Sequence, residues 1–118
     1  MRRLCFPAAL LLPAAILLGA AEVVRNPYEG NVAAAAAGHK LFNETCAHCH
    51  GPDAVTGLPE RNLRHLRLRY GDDMAQVFHT TVENGRPDKG MPTWGGALPE
   101  TTIWKIYTWL ETVQASDD

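Results

Sequence analysis

Apolar residues crowd together at the start of the chain and later settle into a helical rhythm. From Leu4 to Leu18 they run almost unbroken behind Arg2 and Arg3. A basic start, a short apolar core and the small residues Gly19 and Ala21 predict an export signal, residues 1–21, cleaved between Ala21 and Glu22. The alternative is an uncleaved membrane anchor continuing to Val24, which the short core and its Pro7 and Pro13 disfavour. Residues 22–31, EVVRNPYEGN, read as an extended lead-in, because Pro27 and Gly30 interrupt any regular pattern.

The remainder, residues 32–118, reads as one domain with three clear helices. VAAAAAGHKLFNETC is rich in helix formers, and Asn31 can cap it. Within it Gly38 and Phe42 stand four apart, on one face. A glycine inside a helix costs about 1 kcal/mol against alanine, so Gly38 predicts close passage of a second helix. MAQVFHTTVEN reads as a helix capped by Asp72 or Asp73 and ended by Asn84 and Gly85. PETTIWKIYTWLETV closes the domain as a helix with Pro99 in its first turn. Its Ile103, Ile106, Tyr107 and Leu110 form one apolar stripe, with Trp109 beside it. GPDAVTGLPERN and GRPDKGMPTWGG are loops by composition, while LRHLRLRY (63–70) fits either a helical turn or alternation. The expected class is all-α, with long loops.

Charge narrows the partners. The 118 residues hold 11 Lys plus Arg against 13 Asp plus Glu, and losing Arg2 and Arg3 with the signal moves the net charge from −2 to −4. That balance gives no reason to expect nucleic acid. Arg61, Arg64, Arg67 and Arg69 nevertheless crowd one segment, as a docking patch, a solvated face or partners for anionic groups on a cofactor. Cys5 precedes the apolar core, which argues against a lipid-modified mature N-terminus. Cys46 and Cys49 are then the only thiols of the mature chain. Domains this small often rely on a disulfide, metal or cofactor for support.

Those two thiols stand in CAHCH, residues 46–50. A structural zinc site needs four ligands, usually from two such pairs, and there is no second pair. A redox dithiol expects a βαβ setting, and a plain disulfide leaves His50 unexplained. Cys-x-x-Cys-His is the attachment signature of c-type haem. Two thiols at a helix end can add to two porphyrin vinyl groups, and the adjacent histidine then aims a ring nitrogen at the iron. Export agrees with this chemistry, since in bacteria thioether attachment takes place outside the cytoplasm. The candidates for a sixth iron ligand are His39, His48, His65, His79, Met74 and Met91. His48 lies between the cysteines and cannot reach the opposite face. His39, Met74 and His79 fall in helices where packing or solvent claims them. His65 is the best histidine alternative. Met91, in the loop KGMPTWGG with Pro92 stiffening the backbone behind it, is the preferred ligand, since a thioether raises the reduction potential and closes the site.

From about residue 32 to 113 the chain resembles a class I cytochrome c. The likeness rests on Gly38 eight residues and Phe42 four residues before Cys46, on CAHCH and on Gly57-x-Pro59 before Asn62-Leu63. It extends to the GMP methionine loop and a last helix ending in aromatic and leucine residues. The resemblance implies three to five helices wrapped around one covalent haem, with the N- and C-terminal helices crossing at Gly38 against Ile106, Trp109 and Leu110. It also implies that a carbonyl near Pro59 accepts the proton on the far nitrogen of His50, which would make the ring a better donor to iron. The Gly-to-Pro element falls closer to the histidine than in mitochondrial-type members. NPYEGN and GRPDKGMPTWGG are further similar to small periplasmic cytochromes that accept electrons from quinoprotein (PQQ-dependent) alcohol or methanol dehydrogenases.

The resulting expectation is a monomeric, single-haem periplasmic electron carrier, not an enzyme. Its cofactor set is Cys46, Cys49, His50, Met91 and Pro59, with His50 and Met91 on the iron. A periplasmic dehydrogenase would be the donor, and an oxidase or another cytochrome the acceptor. Two alternatives stand beside it. One is a peroxidase-like haem enzyme or sensor with a labile sixth ligand. The other is a haem module held in a larger complex by an uncleaved N-terminus.

Overall fold

The computed structural model describes residues 9–17, 19 and 22–116; Cys5 and the expected cleavage point after Ala21 lie outside them. Among the described residues five α-helices follow one another: α1 (Val32–Thr45), α2 (Ala47–His50), α3 (Leu66–Tyr70), α4 (Met74–Asn84) and α5 (Glu100–Thr112). Short 3-10 turns fill the connections. Among the described residues there is no strand, only the isolated bridges Arg86–Met91 and Gly95–Leu98. The ambiguous stretch 63–70 is helical, a 3-10 turn running into α3.

The crossing of α1 and α5 organises the rest. A Cβ on Gly38 would stand 1.8 Å from the carbonyl oxygen of Lys105 and 2.9 Å from the Ile106 nitrogen. Backbone therefore passes over backbone here, and only glycine permits it. The contact point lies at Lys105 and Ile106. Trp109 and Leu110 pack one turn further on: the Phe42 and Trp109 rings lie 4.9 Å apart, and Phe42 and Leu110 have no exposed surface. Burying each such side chain stabilises by roughly 1.5–3 kcal/mol.

Local sequence sets some of the helix ends, and backbone alone sets others. Asn31 Oδ1 accepts the Ala34 N–H at 2.9 Å, satisfying one free donor of α1. Gly85 ends α4 with φ 65. Asp73 occupies the cap position of α4 but makes no side-chain cap bond, because the 3-10 turn Gly71–Asp73 leads directly into the helix and its backbone supplies the first bonds. Pro99 sits one residue before α5, and its carbonyl accepts the N–H groups of Thr102 and Ile103.

The lead-in is fastened to the domain. Asn26 Nδ2 donates to Thr108 Oγ1 at 2.9 Å and to Glu111 Oε1 at 3.0 Å, both on α5. Val24 and Tyr28 pack against the core, and the Lys105 ammonium lies 5.7 Å from the Tyr28 ring centre. Residues 9–17 contrast with this. They form no regular element, and Leu10, Leu11, Leu12, Ile16 and Leu17 are almost wholly exposed. No helix among the described residues is long and apolar enough to cross a membrane.

Candidate functional site

The helix α1 delivers Cys46 to the centre of the domain. The Cys46 N–H donates to Phe42 O at 2.7 Å, and the chain turns at once into α2, with the His50 N–H on Cys46 O at 3.0 Å. Cys46, Cys49 and His50 are thereby wound onto one turn. The chain then reverses at Gly51 (φ 81), where a Cβ would stand 1.9 Å from Val55 O. That reversal lets residues 52–62 return past the histidine ring.

On its return this segment supplies the acceptor for His50. The ring Nδ1 lies 2.9 Å from the carbonyl oxygen of Arg61. A carbonyl can only accept, so Nδ1 carries the proton and Nε2 keeps its lone pair. The acceptor lies two residues beyond Pro59, whose own carbonyl takes a bond from Arg69 Nη2 at 2.8 Å. Pro59 itself forms part of the cavity wall.

The returning segment is pinned to α1 by a network that sequence reading missed. His39 Nε2 donates to Asp53 Oδ1 at 2.6 Å, and Asn43 exchanges two 2.9 Å bonds with Asp53. Arg64 donates twice to the Asp53 carbonyl. These contacts hold Asp53 and Ala54 at positive φ, 55 and 60 degrees, a region that side chains other than glycine seldom occupy. Bonds from Asn43 and then His39 keep the Asp53 carboxyl below its ordinary value. His39 also stacks on Trp109, ring centres 4.5 Å apart. The available signal was the spacing of His39 and Asn43, four apart and so on one face of α1.

Beside Cys46 opens a cavity of about 580 Å³, within the range usual for cofactor sites. Phe42, Leu66, Phe78, Ile103 and Ile106 give it apolar walls, and Cys46, Cys49, His50 and Met91 all line it. Of the six candidate sixth ligands, Met91 alone does so. His48 and His65 are exposed outside it, Met74 is packed in the core, His39 is engaged by Asp53 and Trp109, and His79 is engaged by Glu100. The arginine segment also divides. Arg61 and Arg69 line the cavity, joined by Arg86 and Lys89, whereas Arg64 serves Asp53 and Arg67 lies 3.9 Å from Glu111.

The methionine loop is carried by α4. Arg86 and Met91 exchange backbone bonds of 2.9 and 3.0 Å around the turn Pro87–Lys89. Trp94 N–H donates to Val82 O, Gly95 N–H to Glu83 O and Thr93 Oγ1 to Asn84 O. Gly85 lets the loop pass, since a Cβ there would stand 2.4 Å from Pro92 O.

The thiols bear on the competing chemistries. Burial, with the Cys49 charge adding, pushes the Cys46 thiol up to about 11. A redox dithiol has the opposite bias, a depressed thiol that attacks as thiolate. Among the described residues the sole cluster of three metal-ligating side chains is His79, Glu83 and Glu100, which excludes both cysteines. An apolar cavity with paired thiols at its wall, a histidine with a free Nε2 and a thioether fits a covalently attached haem.

The family model described as "Cytochrome C oxidase, cbb3-type, subunit III" matches residues 33–110. A cbb3-type cytochrome c oxidase subunit FixP of Bradyrhizobium sp. (strain ORS 278) is 46% identical over 82 residues, 67% of this chain and 27% of that protein. Cytochrome c550 of Pseudomonas aeruginosa is 30% identical over 96 residues, covering 79% of this chain and 65% of that one. The quinohemoprotein alcohol dehydrogenase ADH-IIG of Pseudomonas putida is 32% identical over 74 residues, 63% of this chain and 10% of its own length. The chain thus spans between about a fifth and three tenths of the oxidase subunits it matches, 21% to 29%. No solved structure matches.

Proposed function

The chain belongs to the cytochrome c family of the cbb3 type, an all-α electron-transfer domain with covalent haem c, and on that premise we propose that it is a single-haem periplasmic electron carrier. Cys46 and Cys49 would hold the haem through two thioethers, His50 and Met91 would ligate its iron, and Pro59 forms part of the cavity wall. The observation that carries this reading is the gathering of these residues on one cavity. When bound, the haem iron supplies a one-electron couple.

The chain's own residues account for what surrounds that couple. The bond from His50 Nδ1 to Arg61 O fixes the ring and directs Nε2 as donor. As an iron ligand, the Met91 thioether would favour the reduced state and fill the position that an enzyme would leave open. Its place in the wall supports a carrier over the peroxidase-like alternative. Arg61, Arg69, Arg86 and Lys89 bring positive charge to the cavity and suit the haem carboxylates.

Likeness to a quinohemoprotein alcohol dehydrogenase supports a quinoprotein dehydrogenase as donor, and likeness to cbb3 oxidase subunits supports a terminal oxidase as acceptor. The exposed apolar run, 9–17, supports its reading as part of an export signal. The test is chemical. Acid–acetone extraction should leave haem on the unaltered protein, at most one thioether in Cys46→Ala or Cys49→Ala, and none in the double variant. Haem extracted from the unaltered protein would defeat the reading.

A further inference from the structure

We infer that His79 is a positioning residue for the methionine loop, bridging the helix from which that loop departs to the helix on which it ends. The inference rests on Met91 as the ligand the loop presents.

The loop leaves α4 at Gly85 and returns at Pro99, directly before Glu100 opens α5. His79 Nε2 lies 3.0 and 2.9 Å from the two oxygens of Glu100, and 3.9 Å from Glu83 one turn along its own helix. The imidazole thus ties α4 to the first residue of α5. Its ring is held for that task by stacking on Trp104, centres 4.8 Å apart and planes 10° from parallel. The side chain is only 17% exposed.

Without the imidazole, Glu83 and Glu100 would face each other as like charges. In the salt bridges of the described residues neither has a lysine or arginine partner. Their titration agrees with a shared unit: a hydrogen bond with Glu100 raises Glu83, and the bond from His79 lowers Glu100. Glu83 is also a backbone anchor, since its carbonyl takes the Gly95 N–H. Loss of the bridge should therefore release the loop locally. The pair opens to solvent on its Glu100 side, 56% exposed, where an ion pair adds little to global stability, so the effect belongs to the loop rather than to the fold.

Native-state hydrogen exchange on the haem-loaded protein tests this at two amides, Trp94 and Gly95. In His79→Ala both should exchange faster, by up to about fivefold, the change that one solvent-facing ion pair can produce. The Gly51 amide, on the attachment side, should hold its rate. His79→Gln, which keeps a donor, should restore slow exchange. The far-red sulfur-to-iron absorption should weaken in His79→Ala and recover in His79→Gln. Unchanged exchange at Trp94 and Gly95, or equal acceleration at Gly51, overturns the inference. If exchange responds as expected while the unaltered protein lacks the far-red band, the positioning role stands and Met91 as ligand falls. Should His79→Ala not fold, Glu100→Gln carries the same comparison.

Discussion

The attachment segment and the methionine loop reach the same cavity by different means. Cys46, Cys49 and His50 continue directly from α1, whose Gly38 is locked against Lys105, and the returning chain is tied back to α1 at Asp53. Met91 sits on a loop whose hydrogen bonds reach the last turn of α4, its own residues and, at Pro99, the first turn of α5. The difference teaches that one proposed ligand shares the stability of the core, while the other depends on a few bonds. Local opening should then begin at the loop, since segments with few buried apolar contacts open first.

Gly38→Val should have the largest effect, because it strikes the rigid side. A branched side chain must push two backbones apart, costing about 3 kcal/mol. For a domain of this size that lowers Tm by roughly 10–20 °C, which a thermal melt reads directly. An unchanged Tm would mean that the attachment side does not draw its stability from the crossing.

Met91→Ala probes the other side and should separate site from fold. The far-red band should vanish, the reduction potential should fall, and carbon monoxide should bind, all with Tm little altered. If His65→Ala rather than Met91→Ala removed the sixth ligand, the loop would not be the ligand carrier.

Asp53→Asn should give the smallest effect, and one that depends on pH. Because the folded Asp53 carboxyl is held low, its contribution is complete above the unfolded value of about 4 and disappears as pH falls through the lower folded value. Thermal melts of Asp53→Asn and the unaltered protein should differ at pH 6 and converge at lower pH. A gap that persisted in acid would place the role of Asp53 in shape rather than charge.

Much of the site was legible because its chemistry is local. CAHCH places three functional groups within five residues, and Gly38 four residues before Phe42 announces a crossing that α5 then supplies. Met91 stood out by elimination, as a methionine that no apolar stripe claimed. The contacts that orient these groups were legible only in part. The resemblance implied a carbonyl near Pro59 for His50, and the acceptor is that of Arg61, two residues on. The Asp53 network and the Arg86–Met91 pairing depend on how loops without periodicity fold back, and backbone groups carry no sequence signal. The lead-in shows the same limit: Pro27 and Gly30 predict irregularity and say nothing of packing, yet the segment packs on α5. The four clustered arginines left three readings open, and the turns between them divide the cluster, sending Arg61 and Arg69 to the cavity and Arg64 and Arg67 elsewhere.

The grip of Asn26 and Tyr28 on α5 also sets a leash. With Val24 packed against the core, only residues 18–23 separate the domain from the exposed apolar run. A link of six residues can span at most about 20 Å. Wherever that run stays embedded in a lipid sheet, the protein can slide along the sheet but cannot reach far above it, and its search for partners becomes two-dimensional. Where the run is cut away, the same grip leaves almost no loose end, and the search is free in three.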